Sequence, residues 1–414
     1  MSMDMITSPP RRPAPTYRDD MWRSPATWVF IAGVLYGGWQ FTNNFLPVLQ
    51  NFPGAATTNV FFLALSLVIG LWLARRIFRP VQAPPWNGTV LAVLWGGTAA
   101  TGIALAANSP LSDYLTKAFG FDFSTSWGAA FTAPLNEETA KLLGVLLLAA
   151  MSSRLVRTPA DGFAYGALVG LGFLVAENVT YALNAVLSAG GVGPAIMSTL
   201  VTGTRLGLTV WGSHWAMSAV AGAGVGYLVA RWGVPLGRRV LVAAGCWVLA
   251  MAMHFQFNSP AFEGYAWGGS IKATINLVVA VSVFIVVRRA FRRRWAEAVQ
   301  EEVDSGALLR MEAMAIGRRH SRSRYRRHYS QPGRQRHLLT LLQKEQLELL
   351  EDRTAGEVAE KAAWKRGEID AVRTAMGAPV TPIELTRSVQ RTYCGPTSPG
   401  NPSRGGPLLD CGGI

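Results

Sequence analysis

The sequence predicts an all-α polytopic membrane protein with about eight transmembrane helices, both termini in the cytosol, and a basic C-terminal tail that is helical and then disordered. Half of the 414 residues are apolar and only 15% are charged. Apolar runs of about 20 residues, enough to cross the core of a bilayer, recur up to residue 287. The net charge of +14 is concentrated in some of the loops between these runs and in the tail.

These runs divide the chain into four predicted segments. A cytosolic arm covers 1–26, a transmembrane domain covers 27–287, a basic and partly helical tail covers 288–377, and a Pro/Gly/Ser-rich, disordered segment covers 378–414. The predicted spans lie near 27–48, 58–78, 89–108, 127–150, 162–187, 206–230, 240–258 and 269–287.

The loops alternate in charge, which predicts the orientation of the chain. Arginines cluster in 11–23, 75–79, 154–157, 231–239 and from 288 onward, whereas 49–57, 109–126, 188–205 and 259–268 hold few cations. Because short loops rich in Lys and Arg stay on the cytosolic side, both termini are expected there.

Four of the predicted spans carry ionisable side chains near their middle. Each such charge costs roughly 2.5–3.5 kcal/mol to insert into the bilayer. With a helical rise of about 1.5 Å per residue, all four positions lie about 20–24 Å from the predicted cytosolic ends of their spans. A shared depth predicts one site in the outer half of the membrane. Its candidate residues are Glu137, Glu138 and Lys141, then Glu177, then His214, then His254 with Asn258.

The fourth span has a carboxylate pair that suits acid–base chemistry. One of Glu137 and Glu138 would activate a water molecule as a general base, and the other would orient that water or bind a metal. The alternative is a self-neutralising pair between Glu137 and Lys141, which stand four residues apart on one helix face. Pro134 is expected to kink this helix and admit water.

The other candidates also have structural alternatives. Glu177 would hydrogen-bond the water or tune His214, or it would simply bridge two helices. A histidine in a span either donates a proton, binds a metal or is a hydrogen-bonded core residue. The amide of Asn258, one turn after His254, suits a developing oxyanion. Arg205 either reaches the headgroups or offsets the carboxylates.

Glycines spaced four residues apart predict that two of the spans pack closely. They are Gly162, Gly166 and Gly170 in one span, and Gly222 and Gly226 in another. Such small-residue faces let helix backbones approach each other in lipid, so that side chains from different helices can meet.

Taken in order, the motifs EExxK, FxxxE, His and HxxxN over about 30–287 resemble the PrsW family of intramembrane proteases, related to the CAAX prenyl endopeptidases and bacteriocin-processing enzymes. The resemblance implies an endopeptidase in a bacterial plasma membrane. Its substrate would be a membrane-anchored protein, such as an anti-sigma factor, cut near the extracytoplasmic side.

The resemblance also implies roles for the site residues. Glu137 and Glu138 match the essential glutamate pair, and a glutamate-activated water would attack the carbonyl while His254 and Asn258 steady the oxyanion. The sequence contains no HExxH motif, and we favour metal-free hydrolysis. A divalent metal such as zinc stays open, with candidate ligands His214, His254, Glu138 and Glu177.

Three other classes of protein remain as alternatives. An ion- or proton-coupled transporter also uses intramembrane Glu, Lys and His, although we find no similarity between the two halves. A haem-binding electron carrier would use His214 and His254 but needs no glutamate pair. A non-catalytic membrane scaffold would act through its tail.

The tail carries its own predictions. Its basic clusters, 288–294 and 318–336, are expected to bind anionic lipid at roughly 1 kcal/mol per charge. No recognisable module for specific nucleic-acid binding occurs. A helix over 337–375 would be amphipathic or self-associating, with leucines at 338, 339, 342, 347 and 350.

Overall fold

The computed structural model describes residues 21–78, 81–330, 333–357 and 359–376, and every regular element in these ranges is helical. Two compact units are formed, one by Asp19–Arg289 and the other by the chain from Ala290 onward. The predicted disorder over 378–414 and most of the predicted arm over 1–26 lie outside the described residues.

The unit Asp19–Arg289 is called the membrane unit, and ten α-helices begin within its described residues. They are α1 (Pro25–Asn51), α2 (Pro53–Leu73), α3 (Trp86–Leu94), α4 (Thr101–Phe119), α5 (Phe121–Met151), α6 (Pro159–Ser188), α7 (Pro194–Leu208), α8 (His214–Val229), α9 (Leu236–Asn258) and α10 (Gly268–Asp304). A π-helical segment, Ala74–Phe78, continues α2, and a second, Trp95–Ala100, joins α3 to α4.

Within the described ranges, five helical segments are long and apolar enough to cross a membrane. They are Pro53–Phe78, Trp86–Phe119, Pro159–Ser188, Leu236–Asn258 and Gly268–Asp304. These five support an integral membrane protein, whereas eight spans and cytosolic termini stay predictions.

The predicted span over 206–230 is not one continuous helix, because the structure breaks it between Leu208 and His214. Helix α7 ends at Leu208, a 3-10 turn follows, and Ser213 is extended before α8 begins with His214. At Gly212 a β-carbon would lie 1.7 Å from the carbonyl oxygen of Ala273 in α10. The break therefore lies directly against α10, a contact that the hydropathy of the segment does not reveal.

Two of the predicted loops are largely helical instead. Helix α4 continues through Pro110, and only Gly120, at a φ of 91°, separates it from α5. Helix α7 occupies much of the segment predicted as the loop 188–205. Helix α5 is continuous across Pro134.

Helix α6 is the central helix of the membrane unit, and it packs on α8 through glycine. Every residue from Pro159 to Leu174 is buried. A β-carbon on Gly162 would lie 2.0 Å from the carbonyl oxygen of Gly222, and one on Gly222 would lie 2.2 Å from that of Gly162. The predicted close approach of the two glycine faces is confirmed.

Trp95 fixes the position of α5, the helix that carries the glutamate pair. Its side chain is buried, and its indole nitrogen donates a hydrogen bond of 2.9 Å to the carbonyl oxygen of Ala140. A β-carbon on Gly144 would lie 2.2 Å from the same indole ring. Residue 144 is therefore a glycine because α5 presses its backbone onto this tryptophan.

The second unit is a folded helical assembly. It contains the end of α10 and helices α11 (Arg310–Ile316), α12 (Arg319–Tyr329), α13 (Arg334–Thr354) and α14 (Ala359–Ala375). Glu302, fully buried, accepts two hydrogen bonds of 2.8 Å from Arg366. These hydrogen bonds raise the pKa of the Arg366 guanidinium. The leucines expected to associate with a second copy are buried in this unit itself: Leu338, Leu339, Leu342, Leu347 and Leu350.

Candidate active site

The ionisable residues of four helices meet in one buried cluster. Glu137, Glu138 and Lys141 come from α5, Glu177 from α6, His214 from the first position of α8, and His254 from the last turn but one of α9. The two imidazole rings lie edge to face with centroids 5.1 Å apart. The exposed fractions are only 0% for Glu138, 1% for Lys141 and His254, 3% for His214 and 5% for Glu137.

Glu138 is the residue that holds the cluster together. Its Oε1 accepts a hydrogen bond of 2.6 Å from Lys141 Nζ and lies 2.9 Å from His254 Nδ1. A carboxylate beside Nδ1 favours the tautomer that carries its proton there, which leaves the lone pair on His254 Nε2. The predicted partner of Lys141 was Glu137, but its Oε2 lies farther away, at 3.7 Å.

Glu137 is oriented by an asparagine that the sequence reasoning missed. Asn108, on α4, donates a hydrogen bond of 3.1 Å to Glu137 Oε1, and Asn136 donates one of 3.0 Å to Asn108 Oδ1. Among the described residues, Glu137 Oε2 is buried without a hydrogen-bond partner and lies 3.8 Å from His254 Nε2. The only sequence feature that points to Asn108 is its position near the end of an apolar run.

His214 is bound on both sides of its ring. Its Nδ1 lies 3.1 Å from Lys141 Nζ, and its Nε2 lies 2.8 Å from Glu177 Oε2. Since an ammonium can only donate, His214 Nδ1 accepts a hydrogen bond from Lys141. The ring proton is therefore on Nε2, which donates a hydrogen bond to Glu177. Phe173 packs on this ring, with centroids 4.9 Å apart.

Arg205 offsets the carboxylate of Glu177 and does not simply reach toward the headgroups. Its guanidinium donates to Glu177 Oε2 and, over 2.7 Å, to Asn178 Oδ1. The same guanidinium stacks on the ring of Tyr181, 3.8 Å from its centroid. The second of the two predicted roles for Arg205 is the one that these contacts support.

Asn258 is the one predicted catalytic residue whose contacts lead away from the cluster. Its amide donates a long hydrogen bond of 3.4 Å to the carbonyl oxygen of Ala129. The amide nitrogen carries two N–H groups, so one donor remains for another acceptor.

Glu137, His214 and His254 form a group that could hold a metal ion. One ligand atom from each lies within 4.8 Å of the others, and all three residues are buried. Two imidazoles and a carboxylate are a usual donor set for catalytic zinc. The Glu138 contact on His254 Nδ1 also resembles the carboxylates that orient metal-bound histidines. Compared with the predicted ligands, this group contains Glu137 in place of Glu138 and Glu177.

The charges of the described part of the cluster do not cancel. Three carboxylates, from Glu137, Glu138 and Glu177, face two cationic side chains, from Lys141 and Arg205. A buried net negative charge favours a further positive charge in the cluster. A bound metal ion would supply that charge.

The comparison with known families agrees with this geometry. Residues 84–287 match the sequence model described as PrsW family intramembrane metalloprotease. No curated protein and no solved structure gives a significant match. The matched range contains every residue of the cluster, and it favours a protease over a transporter, an electron carrier or a scaffold. The membrane domain therefore belongs to the PrsW family, and the protein is an integral membrane hydrolase that acts on peptide bonds.

Proposed function

We propose that the protein hydrolyses a peptide bond of a membrane-anchored, anti-sigma-factor-like substrate near the extracytoplasmic side of a bacterial plasma membrane. The observation that carries the proposal is the buried Glu/His cluster inside the matched range. His214 is the first residue of α8, and His254 lies one turn before the end of α9. The alternating charge of the loops predicts that both of these helix ends face away from the cytosol.

In this proposal Glu137 accepts the proton of the attacking water. Its Oε2 has no hydrogen-bond partner among the described residues, while Asn108 holds Oε1 and fixes the carboxylate plane. Glu137 also retains 5% exposure, whereas Glu138 has none. Glu138 is then a positioning residue, since it orients His254 and neutralises Lys141.

His254 would carry that proton onward. With Nδ1–H directed at Glu138, the lone pair is on Nε2, which lies 3.8 Å from Glu137 Oε2. An imidazole in this position can pass a proton to the leaving amine. Steadying the oxyanion is the alternative role predicted for His254, and it would require the charged imidazolium.

A metal fits this site, in contrast to the metal-free hydrolysis that the sequence favoured. Glu137, His214 and His254 would hold the ion, and zinc suits this donor set best. Once bound, it would supply Lewis-acid chemistry to the peptide carbonyl. Asn108 and Glu138 would then keep their tasks of orienting the two donors Glu137 and His254. The proton-transfer roles given above for Glu137 Oε2 and His254 Nε2 belong to the site without the ion, because the ion would occupy those atoms.

The tail would contact the cytosolic face of the membrane. Arg318, Arg319, Arg324 and Arg327 are exposed at and along α12. Basic side chains of this kind bind anionic lipid at roughly 1 kcal/mol each. Self-association through α13 stays a prediction with less support, since its leucines lie in the core of the unit.

A comparison of protein N-termini in native membranes tests the protease assignment. Wild type is compared with Glu137→Gln and Glu138→Gln at equal expression. Glu263→Gln, which changes an exposed carboxylate outside the cluster, is the matched control. New N-termini near the outer boundary of single-pass proteins are expected in wild type and control only. Identical profiles in all four strains under envelope stress would overturn the proposal.

A further inference from the structure

Lys141 occupies the centre of the candidate active site. Its Nζ lies 2.6 Å from Glu138 Oε1, 3.1 Å from His214 Nδ1 and 3.7 Å from Glu137 Oε2. It also lies 4.2 Å from the ring centroid of Phe173. The side chain is 1% exposed. A single ammonium thus contacts residues from three different helices.

Two of these contacts are made to residues of the group that could hold a metal. Glu137 and His214 both belong to that group. The lone pair of His214 Nδ1 is taken by the ammonium, and Nε2 is directed at Glu177. His214 therefore cannot ligate a metal through Nδ1 until Lys141 moves away. Glu137 Oε2 and His254 Nε2 have no such competitor at hydrogen-bonding distance among the described residues.

The charge balance leads to the same conclusion. The cluster as described carries one net negative charge, from three carboxylates and two cations. A divalent ion added beside Lys141 would leave one net positive charge, whereas the same ion without Lys141 would leave none. At the short distances of this buried site, the repulsion between ammonium and metal is only weakly screened.

We infer that Lys141 and a divalent metal compete for His214 Nδ1, so that Lys141 sets the metal affinity of the site. Metal loading requires the ammonium to withdraw from His214. Lys141 is then a positioning residue that offsets one of the three carboxylate charges when no metal is bound. This inference rests on the metal role proposed above and adds the residue that regulates it.

Zinc affinity measured without catalysis tests the inference. Wild type, Lys141→Met and Lys272→Met are purified in lipid nanodiscs, stripped with chelator, and titrated with Zn²⁺ against a chromophoric chelator at fixed pH. Lys272 is the matched control, because it is also a buried lysine of the membrane unit but donates to the carbonyl oxygen of Ser259. Lys141→Met is expected to bind Zn²⁺ at least about tenfold more tightly than wild type and control, a difference of about 1.4 kcal/mol.

A second pair of variants covers the case in which Lys141→Met does not fold. Glu138→Gln is compared with the double variant Glu138→Gln/Lys141→Met. In both proteins residue 138 is uncharged, so removal of Lys141 does not leave a buried carboxylate at this position without its partner. The double variant is again expected to bind Zn²⁺ at least about tenfold more tightly than the single one.

Equal or weaker affinity after removal of Lys141, in whichever pair folds, would overturn the inference. The absence of Zn²⁺ binding in every variant would overturn it too. Neither result decides whether the protein is a protease, because the comparison of N-termini tests that separately.

Discussion

Asn108 provides the sharpest test of the proposed roles, because it contacts Glu137, the residue proposed as the base, and was not predicted from the motifs. Its amide donates to Glu137 Oε1 and accepts from Asn136. In Asn108→Leu, the carboxylate loses its donor and becomes free to rotate. Hydrogen bonds to charged groups contribute about 1.5–3 kcal/mol. If that interaction orients Glu137 in the transition state, kcat/KM should fall by about 10- to 100-fold.

The assay is cleavage of a single-pass reporter substrate by purified enzyme in lipid nanodiscs at substrate concentrations below KM. Asn44→Leu is the matched control, because Asn44 is exposed on α1 and its amide donates to the carbonyl oxygen of Gln40. Thermal unfolding is followed in parallel to show that each variant is folded. A folded Asn108→Leu protein with wild-type kcat/KM would refute the role assigned to Asn108 and weaken the choice of Glu137 as base.

Three further predictions follow from the contacts that build the two units. Asn276→Leu removes the hydrogen bond of 3.1 Å to the carbonyl oxygen of Gly212, so His214 should shift and cleavage should fall at least about tenfold in a protein that still elutes as a folded species. Gly222→Leu should prevent recovery of folded protein on size exclusion, because its β-carbon would lie 2.2 Å from a carbonyl oxygen of α6; normal elution would contradict the close packing. Glu302→Gln should lower the unfolding free energy of the second unit by about 1.5–3 kcal/mol in urea titrations of the full chain, without changing cleavage. An unchanged urea midpoint would show that the pair with Arg366 contributes little.

The convergence of the glutamates and histidines could be predicted from the sequence alone. An ionisable side chain inside an apolar run is costly, and the helical rise is constant, so depth can be counted along each span. The counted depths predict that Glu137, Glu177, His214 and His254 meet, and the structure places them in one cluster. The close approach of α6 and α8 was predictable from glycine spacing for a similar reason.

Other elements could not be predicted because their causes lie far away in the chain. The segment around Gly212 looks like an uninterrupted apolar span, yet α8 starts at His214 because α10 packs against the break. The leucines of α13 predicted an amphipathic or self-associating helix, and only the fold shows that they are buried in the core of the second unit. Hydropathy describes each segment separately and cannot identify its neighbours.

The sequence by itself determined the class of the protein, because insertion cost, positive loops and motif order are properties of one segment at a time. It also predicted that the ionisable side chains Glu137, Glu177, His214 and His254 would meet. Only the tertiary structure decided how those side chains are paired. Lys141 bonds Glu138 more closely than Glu137, and Asn108 leaves one oxygen of Glu137 free of hydrogen bonds among the described residues. Such pairings depend on how each helix is rotated against its neighbours, and that rotation is set by packing between residues distant in sequence.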